Sequence, residues 1–136
     1  MTFRLASKIA AVAMAGASLA ACQSMPAPSV ARTALAGTPL LLGHWASLNP
    51  DCTSIGDVVL RIVKEPGHGR VAIALGNGYT FFLKDNVRNA CNYKPSPGTN
   101  ATYVAAPGYA GPDSVTLTGI FPDGAETQRT FEINVK

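Results

Sequence analysis

The sequence predicts an all-β sandwich of about seven short strands over residues 43–136, with helices absent or minor. Downstream of Gly43 apolar residues recur at every second position, the period of a half-buried strand. Gly- and Pro-containing turn signals separate these runs, and a cysteine pair, Cys52 and Cys91, is available to staple them.

Taken in order, Val58, Leu60 and Ile62 share one face of a first run, against Asp57, Val59, Arg61 and Val63. Pro66-Gly67-His68-Gly69 follows as a hairpin-type turn. Val71, Ile73 and Leu75 then alternate with Arg70, Ala72 and Ala74, and Gly76-Asn77-Gly78 reads as a second hairpin turn. Tyr79, Phe81 and Leu83 form the core-facing side of the next run, with Thr80, Phe82 and Lys84 on the other. Residues 84–100 are the longest irregular stretch, rich in Asn, Pro and Gly. Val115 and Leu117 alternate with Ser114, Thr116 and Thr118. Pro122-Asp123-Gly124 then turns the chain into a last strand carrying Phe131, Ile133 and Val135 on one face.

The chain has 136 residues, 47% hydrophobic and 14% charged, which bounds it to one ordinary domain. A formal net charge of +3 is too small for a nucleic-acid binder working by phosphate neutralisation, and the apolar content too high for a solvating disordered chain.

Much of that apolar content sits at the amino terminus. Arg4 and Lys8 precede an apolar run from Ile9 to Ala20, shorter than the about 20 residues a transmembrane helix needs. The arrangement reads as a secretory signal peptide. It ends in Leu19-Ala20-Ala21-Cys22, which resembles a bacterial lipoprotein lipobox. That resemblance implies removal of residues 1–21, acylation of Cys22 and stable membrane attachment through several acyl chains. Gln23, in place of the Asp that retains such proteins at the inner membrane, implies an outer-membrane location facing periplasm or exterior. Cleavage takes two of the 11 basic residues and none of the 8 acids, so 9 face 8 and the formal charge falls to +1. Residues 22–42 read as the lipidated Cys and a flexible tether, of which residues 23–38, with Pro26 and Pro28, would span about 20–25 Å as a loose coil. Within it a short helix over Val30 to Ala36 is the one regular element that composition permits.

With Cys22 committed to lipid, Cys52 and Cys91 are expected as a disulfide. A metal site using His44 and His68 with these sulfurs is the competing reading. It lacks any Cys-x-x-Cys or His-x-x-x-His spacing, so neither metal nor cofactor is expected.

Residues 55–136 also carry a pattern of Pro66 and Gly69 between two strands, then Tyr103, Pro107, Tyr109, Gly111, Asp113 and Ser114. It resembles bacterial Ig-like and cadherin-like repeats, with one extra residue between Tyr103 and Pro107. The resemblance implies structural roles: Pro107 and Gly111 bend the chain between sheets, Tyr109 packs under the bend, and Asp113 and Ser114 bond turn amides. It departs from that family in lacking an acidic cluster for calcium, the eight acids being scattered.

His44 and His68 are the only imidazoles, and no nucleophile elbow, phosphate loop or paired carboxylates accompany them. The expectation is a non-enzymatic envelope lipoprotein, held to the membrane by its lipid and either binding a protein or an envelope polymer or playing a structural role. A small secreted enzyme or enzyme inhibitor on the same scaffold is the alternative. Phe82, Tyr93 and Lys94, on or beside the 84–100 loop, are the expected partner surface.

Overall fold

A computed structural model describes residues 25–136. The stretch read as signal peptide and lipobox, with Cys22, lies outside the described residues. Among the described residues no helix is long and apolar enough to cross a membrane.

Nine strands follow one another among the described residues: β1 (Ser29–Ala34), β2 (Leu40–Trp45), β3 (Ser47–Leu48), β4 (Ser54–Gly56), β5 (Val59–Lys64), β6 (Gly69–Gly78), β7 (Ser96–Ala105), β8 (Gly111–Ile120) and β9 (Glu126–Val135). The one helical element among the described residues is a 3-10 turn over Asn89–Tyr93. The strands build one sheet of order β1-β9-β8-β5 and another of order β2-β7-β6, with β3 and β4 as a small separate pair. The chain is an all-β sandwich.

The period-two pattern places the core. Leu60 on β5, Val115 and Leu117 on β8, and Phe131, Ile133 and Val135 on β9 are buried, as is Val58 just before β5. They face Leu42 and Trp45 of β2 and Ala101, Tyr103 and Ala105 of β7. Trp45 meets Phe131 edge-on at 6.2 Å between ring centroids, an arrangement aromatic pairs favour. Pro122–Gly124 closes the β8–β9 hairpin: Gly124 takes φ 84°, a left-handed conformation that costs glycine nothing. Ten register pairs run from Gly111↔Val135 to Ile120↔Glu126.

Four sequence expectations change. The stretch read as tether, with a helix over Val30 to Ala36, instead supplies β1, and β2 begins at Leu40, so the sandwich starts at Ser29 rather than Gly43. The reason is the otherwise free edge of β9: β1 pairs with it in parallel from Ser29↔Thr130 to Ala34↔Val135, burying Ala34. Pro66–Gly69 is a crossing between the sheets, because β5 and β6 belong to different ones. Gly76–Gly78 is strand, not turn, paired with Ser96, Pro97 and Gly98 of β7. A Cβ at Gly76 would lie 2.9 Å from the Asn100 amide, and one at Gly78 would lie 2.5 Å from the His44 ring. These glycines therefore admit side chains lying across the sheet.

The fourth change concerns Tyr79–Leu83, which forms no strand. Phe82 carries its backbone hydrogen bonds to side chains instead: its N–H donates to Asn92 Oδ1 at 2.8 Å, and its carbonyl accepts from Asn92 Nδ2 at 2.8 Å and Asn89 Nδ2 at 3.0 Å. The asparagine amides stand in for a neighbouring strand and turn the segment over. Phe82 is half-buried, while Tyr79, Phe81 and Leu83, expected inside, are exposed.

Candidate functional site

Two groups of the residues singled out by sequence lie at different places on the sandwich. The first surrounds Asp113. At the start of β8 its Oδ1 accepts the amides of Gly67 and Ser114, each at 2.8 Å, and its Oδ2 accepts the His68 amide at 3.0 Å and the Tyr103 hydroxyl at 2.8 Å. Burial by itself would raise this carboxyl's pKa. The bonds from Tyr103, Gly67, Ser114 and His68 outweigh it and hold the group below the ordinary carboxylate value. Burial, and then the bond to Asp113, pushes the Tyr103 phenol well above its usual range.

This carboxylate ties together two of the crossings between the sheets, β5–β6 and β7–β8. Gly67 and His68 belong to the β5–β6 crossing, and Ala106 in the β7–β8 crossing donates its amide to the His68 carbonyl at 2.8 Å. Gly69 runs against the Tyr103 ring, where a Cβ would come within 2.5 Å, so the close approach requires glycine. Pro66 is half-buried just ahead of it, and Pro107 is exposed on the other crossing. Tyr109 stacks on the His68 ring at 4.0 Å and donates its hydroxyl to the Pro112 carbonyl, while Gly111 takes φ 134° beneath it. Asp113 has every lone pair engaged, so it acts in the fold as a junction between loops.

The imidazoles are held in structural surroundings. His68 lies flat on Tyr109. The Nδ1 of His44 donates to Asn100 Oδ1 at 2.8 Å, and its Nε2 is buried with no partner among the described residues. No three His, Cys, Asp or Glu side chains converge as a metal site among the described residues.

The second group is the segment 79–94. Cys52 and Cys91 form a disulfide, with Cα atoms 5.4 Å apart, that fastens the 3-10 turn to the loop between β3 and β4. Cys52 sits at φ 70° in that loop, where its amide donates to the Asn49 carbonyl at 2.9 Å. Arg88 adds a bond from its guanidinium to the Leu48 carbonyl. Together with the Asn89 and Asn92 clamp on Phe82, these ties fix an irregular stretch from both ends.

Among the polar side chains of the segment, several large apolar ones also face solvent. Phe81 is 88% exposed, Tyr93 81%, Leu83 73% and Val87 70%. A segment this tightly held pays little further ordering cost on contact with a partner. Tyr93 and Lys94 are exposed, as a contact surface needs. Phe82 is not part of that surface: it lines a small concavity with Leu48, Ile55 and Phe121. Phe81, Leu83 and Val87 were missed, the first two because alternation from Tyr79 assigned them inward. The signal for them was the spacing of Asn86, Asn89 and Asn92, amides able to cap a backbone that has no strand beside it.

No family model matches the chain, and no curated protein or solved structure matches it either.

Proposed function

We propose that the chain is a non-enzymatic lipoprotein of the bacterial cell envelope, acylated at Cys22 and carried to the outer membrane, with an Ig-like sandwich that binds a protein or an envelope polymer. The single observation that supports this reading is the 79–94 segment, with Leu83, Val87 and Tyr93 exposed on a backbone fixed by a disulfide and by side-chain amides. Exposed apolar side chains on a fixed backbone favour an interaction surface, and Tyr93 is one of the residue types that most often anchor one. The lipid tether keeps the domain near its partner, so modest contact energy suffices at the raised local concentration.

Envelope fractionation tests both halves. Wild-type chain fractionates with outer membrane, and Cys22→Ser lowers that association to whatever the domain itself provides. In the Cys22→Ser background, the double substitution Leu83→Ser with Tyr93→Ser is expected to abolish the residual association with isolated envelopes while leaving the melting temperature unchanged. Residual association that survives the double substitution refutes the assignment of the surface. Fractionation unaffected by Cys22→Ser refutes the anchor.

A further inference from the structure

We propose that the cleft on the β1–β2 side of the sandwich is a binding site for an acidic saccharide, a short run of sugars bearing carboxylates. The cleft has a volume of about 570 Å³, within the range of small-molecule sites. Its cations are Arg32 from β1 and Arg129 from β9, and no Asp or Glu lines it. Two guanidiniums without a carboxylate among the lining residues make a concave patch of positive potential, and the planar donor fork of Arg matches a carboxylate bidentately. His44 adds no donor there, since its Nδ1 is taken by Asn100 and its Nε2 is buried.

The rest of the lining favours a sugar over a compact inorganic anion. Tyr79 and Phe81, 65% and 88% exposed, line the same cleft as the cations, as does Asn77, whose side chain is an amide able to bond hydroxyl groups. Gly43 and Gly78 also line the cleft, each passing close under a ring of the protein itself, Trp45 and His44, so these rings and not open space cover the two glycines. Arg32 is set in place: its guanidinium carbon lies 5.9 Å from the Phe131 ring centroid, and Nη1 donates to the Ala31 carbonyl at 3.1 Å. The cations come from distant parts of the sequence and line one cleft because β1 pairs with β9, a pairing that no local motif announces.

The site shares Tyr79 and Phe81 with the segment above but not Leu83 or Tyr93, so the two readings fail separately. The test is calorimetric titration of the full chain in neutral detergent with trigalacturonate, with maltotriose as the neutral saccharide and triglutamate as the acidic peptide. Trigalacturonate is expected to bind, with maltotriose and triglutamate each at least tenfold weaker. Arg129→Gln, at an exposed position, is expected to weaken trigalacturonate about tenfold or more at an unchanged melting temperature, with Arg129→Lys falling between. Phe81→Ala is expected to weaken it as well, which keeps the test decisive if the arginine variants melt early. Absence of trigalacturonate binding, equal affinity for maltotriose, or indifference to both Arg129→Gln and Phe81→Ala overturns the site. Equal affinity for triglutamate overturns the saccharide assignment.

Discussion

Tyr103 on β7 donates its hydroxyl to Asp113 on β8 at 2.8 Å, a hydrogen bond that spans the two sheets from inside the core. Both residues are buried, and Asp113 simultaneously holds the Gly67 and His68 amides of the neighbouring crossing. A carboxylate placed so fixes the angle at which the sheets meet, because each of its acceptor directions is assigned to a different piece of chain.

Stability is therefore expected to depend on pH through Asp113. Its folded-state pKa is depressed, so its contribution is fully present above the ordinary carboxylate value of about 3.9 and is lost as pH falls through the folded value. Asp113→Asn should cost about 2–3 kcal/mol at pH 7, from bonds to a charged acceptor, and should flatten the acid limb of the profile. Urea midpoints for both chains between pH 7 and pH 2 check this; parallel curves would show that another carboxylate governs the acid limb.

The Cys52–Cys91 bridge closes a loop with a sequence separation of 39. Replacing either cysteine by Ser is expected to cost about 2–4 kcal/mol. Melting curves with and without reductant read this directly, and coincidence of the two curves would contradict it.

Ala34 is 1% exposed at the end of β1, so Ala34→Asp puts an unpaired charge into the core and should cost about 3 kcal/mol. The adjacent Leu35→Asp, at 61% exposure, should change stability by no more than about 0.5 kcal/mol. Equal effects would mean that β1 is dispensable to the sandwich.

Gly78 leaves room for His44, whose ring atoms would stand 2.5 Å from a Cβ there. Gly78→Ala is expected to cost about 1–3 kcal/mol through displacement of a ring already bonded to Asn100. Restoration of stability by the pair Gly78→Ala with His44→Ala would trace the loss to that contact; an additive loss would trace it elsewhere.

β6 is an edge strand of ten residues with Leu75 66% exposed, a template on which another strand can add. Leu75→Lys should leave stability within about 0.5 kcal/mol and lower self-association at high concentration. Sedimentation velocity over a concentration series decides it.

The β8–β9 hairpin and the core faces of β5, β8 and β9 were legible because there period two and turn chemistry agree. Pro122–Gly124 marks the reversal, and Val115, Leu117, Phe131, Ile133 and Val135 mark the inner side. Gly76–Gly78 misled because glycine serves there for the close passage of His44 and Asn100, a need set by residues distant in sequence. β1 was hidden because its support comes from the open edge of β9, at the far end of the chain. Of the 79–94 segment, the exposure of Tyr93 and Lys94 was legible from their place beside an irregular loop. Phe82 was misassigned because nothing in local alternation says that Asn92 will take a strand's place. The Arg32 and Arg129 cleft left no trace in sequence order.

The parallel pairing of β1 with β9 also decides how the domain meets mechanical load. Tension arriving along residues 25–28 and directed along the strand pulls on β1 at Ser29, and six register pairs bear it side by side. That is a shearing geometry, in which the bonds must yield together rather than peel one after another. A domain tugged from its amino-terminal side is thereby built to hold, with the rupture rate set by the unfolding barrier and not by the equilibrium stability.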